Sequence, residues 1–321
     1  LLKVVGIVIA VLVVLLVAAW LKLRGPDIPY AELEAKYTDA SSHFVDLPGG
    51  FHVHYQEDGD PKAQTLVLLH GFGDSYTSWE SWVRDLKGRF HLITLDFPGH
   101  GLTRAPAGYQ LSGAGLADFV AAFASKLALP KFAVAGNSLG GGAAWQLAVR
   151  HPDLIDALIL VDAVGFPPSK PPSSIPLAFR LLQYPIGRAL LRNIDNRPLI
   201  EAGLKTDVYD QALITRAFVD RWAEFQRAPG HRTILMNINF GGLGQARSEI
   251  LSAIKVPTLI LHGEDDLIIE PDSARKFAAA IPGAKLIFYP QVGHLPQIEL
   301  PQRSAADVAA FLATLPRAGP V

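Results

Sequence analysis

Six short runs of consecutive apolar residues, separated by stretches of helical periodicity, constrain this chain more than any other feature. They are TLVLLH (65–70), HLITLD (91–96), FAVAG (132–136), ALILVD (157–162), TLILHG (258–263) and KLIFYP (285–290). A strand with one solvated face alternates apolar and polar residues. A run without alternation, bounded by Gly or Pro, is a strand covered on both faces. Helical patterns such as LADFVAAFASKLAL (116–129) and SARKFAAAIPG (273–283) lie between the runs. This alternation predicts an α/β domain with a mostly parallel sheet flanked by helices. Two earlier runs, HFVDL and FHVHYQ, flank Pro48-Gly49-Gly50 and predict an antiparallel hairpin at the sheet edge. With half of 321 residues hydrophobic, the chain can bury a core of that size.

One interval breaks the rhythm. From Gly165 to Ser248 no buried strand is evident, and more than 80 residues is too long for a plain connection. A Pro-rich entry, FPPSKPPSSIP, leads into helical patterns carrying Phe179, Leu181, Leu182, Trp222 and Phe225. We expect a helical lid over 165–248, inserted between two core segments, 43–164 and 249–321. Strand C-terminal ends form the site in sheets of this type, so the lid should cover it, with Phe179, Trp222 and Phe225 lining a substrate pocket.

Gly136-Asn137-Ser138-Leu139-Gly140 is a G-x-S-x-G pattern. Alone it is weak. Here an apolar strand precedes it and a helical stretch, GGAAWQLAVRHP, follows, which is the context of a nucleophile elbow. The glycines leave room for a turn so tight that a Cβ would strike neighbouring backbone. Ser138 would then stand at a helix N-terminus, where negative charge is favoured. An oxyanion hole needs two converging N–H groups. Leu139 supplies one, and Phe72, in the His70-Gly71-Phe72-Gly73 loop after an earlier strand, is the expected second. His70 is expected to brace that loop rather than to take part in chemistry.

A serine at its ordinary pKa is a poor nucleophile and requires a base. His294, in the loop after the last strand, is the candidate. The acid that orients it should follow a strand between Ser138 and His294. HGEDD offers Glu264, Asp265 and Asp266, and ALILVD offers Asp162.

The chain opens on 18 residues without a charge, Val4–Leu21, between Lys3 and Lys22. As a helix this run is about 27 Å long, close to the ~30 Å hydrocarbon core of a bilayer. Trp20 stands where an interfacial aromatic belongs. Residues 1–24 therefore read as a membrane anchor contacting the bilayer through 4–21. Residues 25–42 read as a juxtamembrane segment in which PYAELEAKYTDASSHF is helical. A signal peptide cleaved at Val17-Ala18-Ala19 is the alternative, disfavoured by the length of the run. Lys22 and Arg24 alone do not orient the span. A formal charge of −1 and the absence of a basic stripe give no reason to expect nucleic acid. Without cysteine, the chain has no disulfide, zinc–thiolate site or cysteine nucleophile.

HGFGDSYTSW, LDFPGHGLT, GNSLGG, HGEDDLIIEP and VGHLPQIELP stand in the order and spacing of the α/β-hydrolase family, which the chain resembles over about residues 43–315. The resemblance implies the α/β-hydrolase fold and a Ser-His-Asp triad. Its Gly-x-x-Asp pattern favours Asp266 as the acid. It also implies that Asp96 and His100 are structural and that no metal or other cofactor is required. Epoxide hydrolases and haloalkane dehalogenases carry Asp where Ser138 stands and are disfavoured. Anchor plus lid resembles monoacylglycerol lipases and bacterial membrane-anchored phospholipase A or lysophospholipase enzymes. That implies a carboxylic ester hydrolase acting on a small-molecule or lipid ester. It further implies single-pass anchorage in a bacterial inner membrane, with the periplasmic face favoured and a homodimer possible. The rival readings are a carbon–carbon hydrolase of the ring-cleavage type, which shares the GNS-x-GG elbow, an acyl thioesterase, and a non-catalytic lipid-binding scaffold.

Overall fold

The computed structural model describes residues 2–167, 177–238, 243 and 245–315, without the side chains of residues 2–4, 16, 19, 22, 178 and 179. Eight strands form one sheet: β1 (Ser42–Leu47), β2 (Phe51–Asp58), β3 (Thr65–Leu69), β4 (His91–Leu95), β5 (Phe132–Asn137), β6 (Ile155–Val161), β7 (Thr258–Gly263) and β8 (Lys285–Tyr289). Their order is β1-β2-β4-β3-β5-β6-β7-β8. β1 pairs antiparallel with β2, and β2 with β4; all later pairings are parallel. The expected hairpin is thus the sheet edge, and every expected run is a strand.

The unbroken hydrophobicity of the inner strands follows from two covers. Val67, Leu69, Ile93, Leu95, Val134, Leu158 and Leu160 point to one face, against α4 (Gly113–Lys126), α5 (Leu139–Arg150) and α12 (Pro271–Ala280). Leu66, Leu68, Leu92, Ala133, Ala135, Ile159 and Leu261 point to the other, against α3 (Glu80–Leu86) and α14 (Pro301–Ala313). Trp82 Nε1 donates to Ser304 Oγ at 2.8 Å and locks α3 to α14. β8 departs from the expectation of two covered faces. It is the other edge of the sheet, and four of its five residues keep some exposure.

The chain leaves β3 toward β4 on one side and returns through β5 on the other. At this reversal the loops after β3 and β5 splay apart and open a crevice at the strands' C-terminal ends. The interval after β6 forms the lid: α6 (Leu177–Leu182), α7 (Pro185–Asn193), α8 (Arg197–Asp207), α9 (Arg216–Gln226) and α10 (His231–Met236). Prolines open α7 and α8, where a missing N–H is harmless, and Thr215 caps α9 by accepting from Phe218 N–H. Residues 168–176 of the Pro-rich entry lie outside the described residues. α11 (Ser248–Leu251) returns the chain to the core.

The first apolar run forms one helix, α1 (Leu2–Leu23). Among the described residues no helix is long and apolar enough to cross a membrane, so the fold does not itself establish the expected span. The juxtamembrane stretch contains α2 (Tyr30–Tyr37), which is docked rather than free. Leu33 is buried, Tyr30 Oη meets His231 Nε2 at 2.8 Å, and Lys36 and Tyr37 both donate to Glu224 of α9.

Candidate active site

Ser138 occupies the single residue between β5 and α5 with φ 52° and ψ −113°, a left-handed conformation that costs a non-glycine residue on the order of 1–3 kcal/mol. The turn is held by backbone. Ser138 N–H donates to Val161 O, and Ser138 O accepts from Gly142 and Val164, each at 3.0 Å. A Cβ on Gly136 would strike Gly140 O, and one on Gly140 would strike Leu69 O, so the flanking glycines are required by close approach. Ser138 itself stays partly exposed while its neighbours are buried.

Leu139 is the first residue of α5, so its N–H has no helical acceptor and lies beside Ser138. The loop after β3 passes close by: a Cβ on Gly71 would lie 3.4 Å from Ser138 Cβ. Phe72 sits in this loop and lines the cavity described below. His70 acts as the brace expected of it. Its Nδ1 donates to Gly71 O at 2.7 Å, its Nε2 accepts from Phe97 N–H at 3.0 Å, and burial lowers its pKa. Asp96 is structural. It accepts from Tyr76 N–H, Leu102 N–H and His54 Nδ1 at 2.7–2.9 Å. His100 is buried with Nδ1 toward Pro98 O, and burial holds it well below its ordinary pKa.

The structure distinguishes the four acids. Asp266 is buried, with Oδ2 2.7 Å from His294 Nδ1 and Oδ1 accepting from Ile268 and Ile269 N–H at 2.7 and 3.0 Å. Asp265 and Glu264 are exposed, and Asp265 only caps the Gln291 turn. Asp162 is buried but meets Gly263 N–H and His262, not His294. Burial and the charge of Asp266 raise the Asp162 pKa well above its ordinary value. Burial would also raise Asp266, but the charge and hydrogen bond of His294 outweigh it and lower the carboxyl. Burial would depress His294, and Asp266 reverses this, so the imidazole lies above its ordinary value. Asp162, His262 and Asp266 place ligand-type atoms within 4.8 Å of one another. Both Asp266 oxygens are already engaged, and His262 Nε2 donates to Ile269 O, so this cluster reads as support for Asp266.

Two positioning residues escaped the sequence reading. Asn137 Nδ2 donates to His294 O at 3.0 Å and ties the elbow to the histidine loop. Glu299 accepts from Gly293 N–H through one oxygen and from Tyr209 and Asp210 N–H through the other, stapling that loop to the end of α8. Both stand inside motifs, GNSLGG and VGHLPQIELP, but the roles seen here join segments about 90 residues or more apart in the chain.

Above the oxyanion loop lies a cavity of about 100 Å³. Phe72 and Gly73 form its floor, and Leu182, Leu191, Leu204, Trp222 and Met236 of the lid form most of its walls. Trp222 is therefore in the cavity lining. Phe225 is not: it packs with Ile28, Leu33 and Tyr76, its ring 4.5 Å from that of Tyr37, because α2 claims that face of α9. Phe179 lies in α6, and its side chain is outside the described residues.

Sheet order, elbow and lid define an α/β-hydrolase architecture, and comparison with known proteins agrees. Residues 66–310 match the alpha/beta hydrolase family, to which the chain belongs; it is a serine hydrolase. It is 27% identical over 286 residues to lipase 1 of Psychrobacter immobilis, covering 88% of each chain. It is 30% identical over 257 residues to the 2-hydroxymuconate semialdehyde hydrolase of a Pseudomonas species (strain CF600), covering 77% of this chain and 86% of that one. Among solved structures, a membrane phospholipase A described as a bacterial virulence factor superposes with a TM-score of 0.74 and 25% identity. That match covers 98% of this chain and 99% of the other.

Proposed function

We propose that the chain hydrolyses carboxylic esters of lipid-like acyl groups at a membrane surface, through Ser138, His294 and Asp266. His294 takes the Ser138 proton on Nε2 as Oγ attacks the ester carbonyl. The N–H groups of Leu139 and Phe72 hold the oxyanion. The C–O bond breaks, His294 protonates the departing alcohol, and water repeats the sequence on the acyl-enzyme. Asp266 fixes the imidazole so that Nε2 faces the serine and stabilises its charged form.

The observation that carries this reading is the lid cavity. It is walled by aliphatic side chains and Trp222, it opens beside the oxyanion loop, and among the described residues no Lys or Arg lines it. An acyl chain fits such a wall. The carbon–carbon hydrolase reading draws on the relative named for 2-hydroxymuconate semialdehyde, an anion. A cavity with no cation, and with Asp207 in its lining, suits an anion poorly.

Membrane placement draws on three observations. α1 has 22 residues, about 33 Å of helix, and its described apolar side chains are about half exposed or more, as with Ile7 at 65% and Val14 at 66%. Its end is tied to the lid: Asp195 N–H donates to Leu23 O at 2.7 Å and Gly25 N–H to Asn193 O at 3.1 Å. Beside that tie, α7 exposes Tyr184, Ile186 and Leu190, and from Ala163 to Ile194 the chain carries four cations and no Asp or Glu. Apolar and cationic groups side by side suit an anionic bilayer. The alignment with the membrane phospholipase A is too long to leave α1 out.

The test is a panel of p-nitrophenyl esters from acetyl to decanoyl, lysophospholipids, matched thioesters and a vinylogous 1,5-diketone. Hydrolysis of medium-chain oxygen esters, abolished in Ser138→Ala, supports the reading. Cleavage of the diketone alone would replace it with the carbon–carbon reading.

A further inference from the structure

Asp207 ends α8 where the lid meets the histidine loop. Its backbone carbonyl accepts from His294 N–H at 2.6 Å, and Gly293 is held so close that a Cβ there would lie 2.5 Å from Asp207 O. Its carboxyl has no hydrogen bond or ion pair among the described residues. It lines the cavity with Phe72, Gly73, Leu204 and Trp222. The other polar groups there are of one kind. Asn196 spends its Nδ2 on Leu191 O, leaving Oδ1 buried without a donor, and Gln226 spends its Nε2 on Gly73 O. Among the described residues the cavity therefore offers acceptors in need of donors, and no cation.

On the ester-hydrolase reading above, His294 hands its proton to the departing alcohol. The Asp207 carboxyl is near enough to His294 to feel its charge, so it faces the alcohol portion of the substrate, with the acyl chain along the aliphatic walls of the same cavity. The geometry points to Asp207 as the residue that selects the alcohol: its carboxylate accepts hydrogen bonds from the free hydroxyls of a neutral polyol and repels an anionic phosphate in the same place. The preferred substrate class is then the medium-chain monoacylglycerol, ahead of anionic lysophospholipids. A site that must satisfy a desolvated carboxylate rejects alcohols that bring no donor.

The selection depends on pH in a defined sense. Burial raises the Asp207 pKa to about 7; His294, in the loop after β8, opposes the rise, and Asp266 after β7 and Glu299 of α13 (Pro296–Glu299) add to it. Above pH 7 the carboxyl is charged and excludes anions. Below it, the carboxyl is neutral and the exclusion weakens.

The experiment measures kcat/KM for methyl octanoate, 1-octanoylglycerol and octanoyl lysophosphatidylglycerol, whose phosphodiester charge is constant, at pH 6 and pH 8. Only ratios between substrates at one pH are compared, so titration of His294 cancels. Wild type should favour the glycerol ester over the other two by about tenfold or more at pH 8, the size expected of a hydrogen bond to a charged group. The margin over the phospholipid should shrink at pH 6. Asp207→Asn should abolish that pH dependence while keeping much of the glycerol preference. Asp207→Leu should remove the preference, lowering kcat/KM for 1-octanoylglycerol more than for methyl octanoate. Unchanged ratios in both variants, or equal loss on all three esters by folded protein, would overturn the assignment. A wild type inactive on every ester would instead refute the ester-hydrolase reading itself.

Discussion

Asp266→Asn tests the proposed chemistry most directly, because it changes one charge in a fully enclosed pair. In the transition state His294 becomes an imidazolium, and among the described residues the carboxylate hydrogen-bonded to it is Asp266, 2.7 Å away. Two unit charges centred about 4 Å apart attract by about 4 kcal/mol at the effective dielectric that fits protein sites. Part of a charge-assisted hydrogen bond, about 1.5–3 kcal/mol, is lost as well. A total near 5 kcal/mol corresponds to a fall of roughly 10³–10⁴ in kcat. Asp162 does not substitute, since it contacts His262 and Gly263 N–H rather than His294. Stopped-flow and steady-state hydrolysis of p-nitrophenyl hexanoate would measure the loss. The pH profile adds a signed test. His294 must be neutral to act as base, and Asp266 raises its pKa, so activity in wild type should fall with acidification at a pH above the ordinary imidazole value of about 6.5. In Asp266→Asn the residual activity should hold to lower pH. A loss below tenfold, or an inactive Asp265→Asn or Asp162→Asn beside an active Asp266→Asn, would refute the assignment of the acid.

Other outcomes follow from the same geometry. Ser138→Ala should lower ester hydrolysis by about 10⁴ or more and abolish fluorophosphonate labelling, with an unaltered melting midpoint; activity within tenfold of wild type would remove Ser138 from the mechanism. Each methylene taken from water contributes about 0.8 kcal/mol, roughly fourfold, so kcat/KM should climb from acetyl to hexanoyl esters and then level off. Trp222→Ala should move that plateau, whereas a flat series in both proteins would reduce the lid to packing. Removing residues 1–21, which keeps the Leu23–Gly25 tie to the lid, should release active enzyme from membranes. Full-length protein recovered without detergent would contradict the anchor.

Sequence reading succeeded where local chemistry decides. Ser138 was legible because an apolar strand, two glycines and a helical run coincide within a dozen residues, and only a tight turn needs all three. The inner strands were legible because two covered faces erase alternation. The choice among Glu264, Asp265 and Asp266 was not legible from spacing alone. It depends on the turn after β7 directing one side chain inward to the N–H groups of Ile268 and Ile269 and the next one outward. Phe225 shows the limit of helical periodicity. An amphipathic pattern says that α9 buries Trp222 and Phe225, yet only the docking of α2, nearly 190 residues earlier, decides that one faces the cavity and the other does not. The roles of Asn137 and Glu299 were hidden for the same reason, since each satisfies backbone from remote segments.

These remote ties bear on how lid and catalysis depend on each other. His294 N–H is satisfied by Asp207 O of the lid, His294 O by Asn137 of the elbow, and Gly293 N–H by Glu299, which also holds Tyr209 and Asp210. A buried N–H left without an acceptor costs about 1–3 kcal/mol, so the histidine loop is secured only while the end of α8 stays in place. The lid thus does two things at once. Its helices wall the cavity, and its α8–α9 junction completes the hydrogen bonding of the loop that presents the base. On the proposed reading, the end of α8 therefore supports His294 from the lid side while the neighbouring helices wall the cavity.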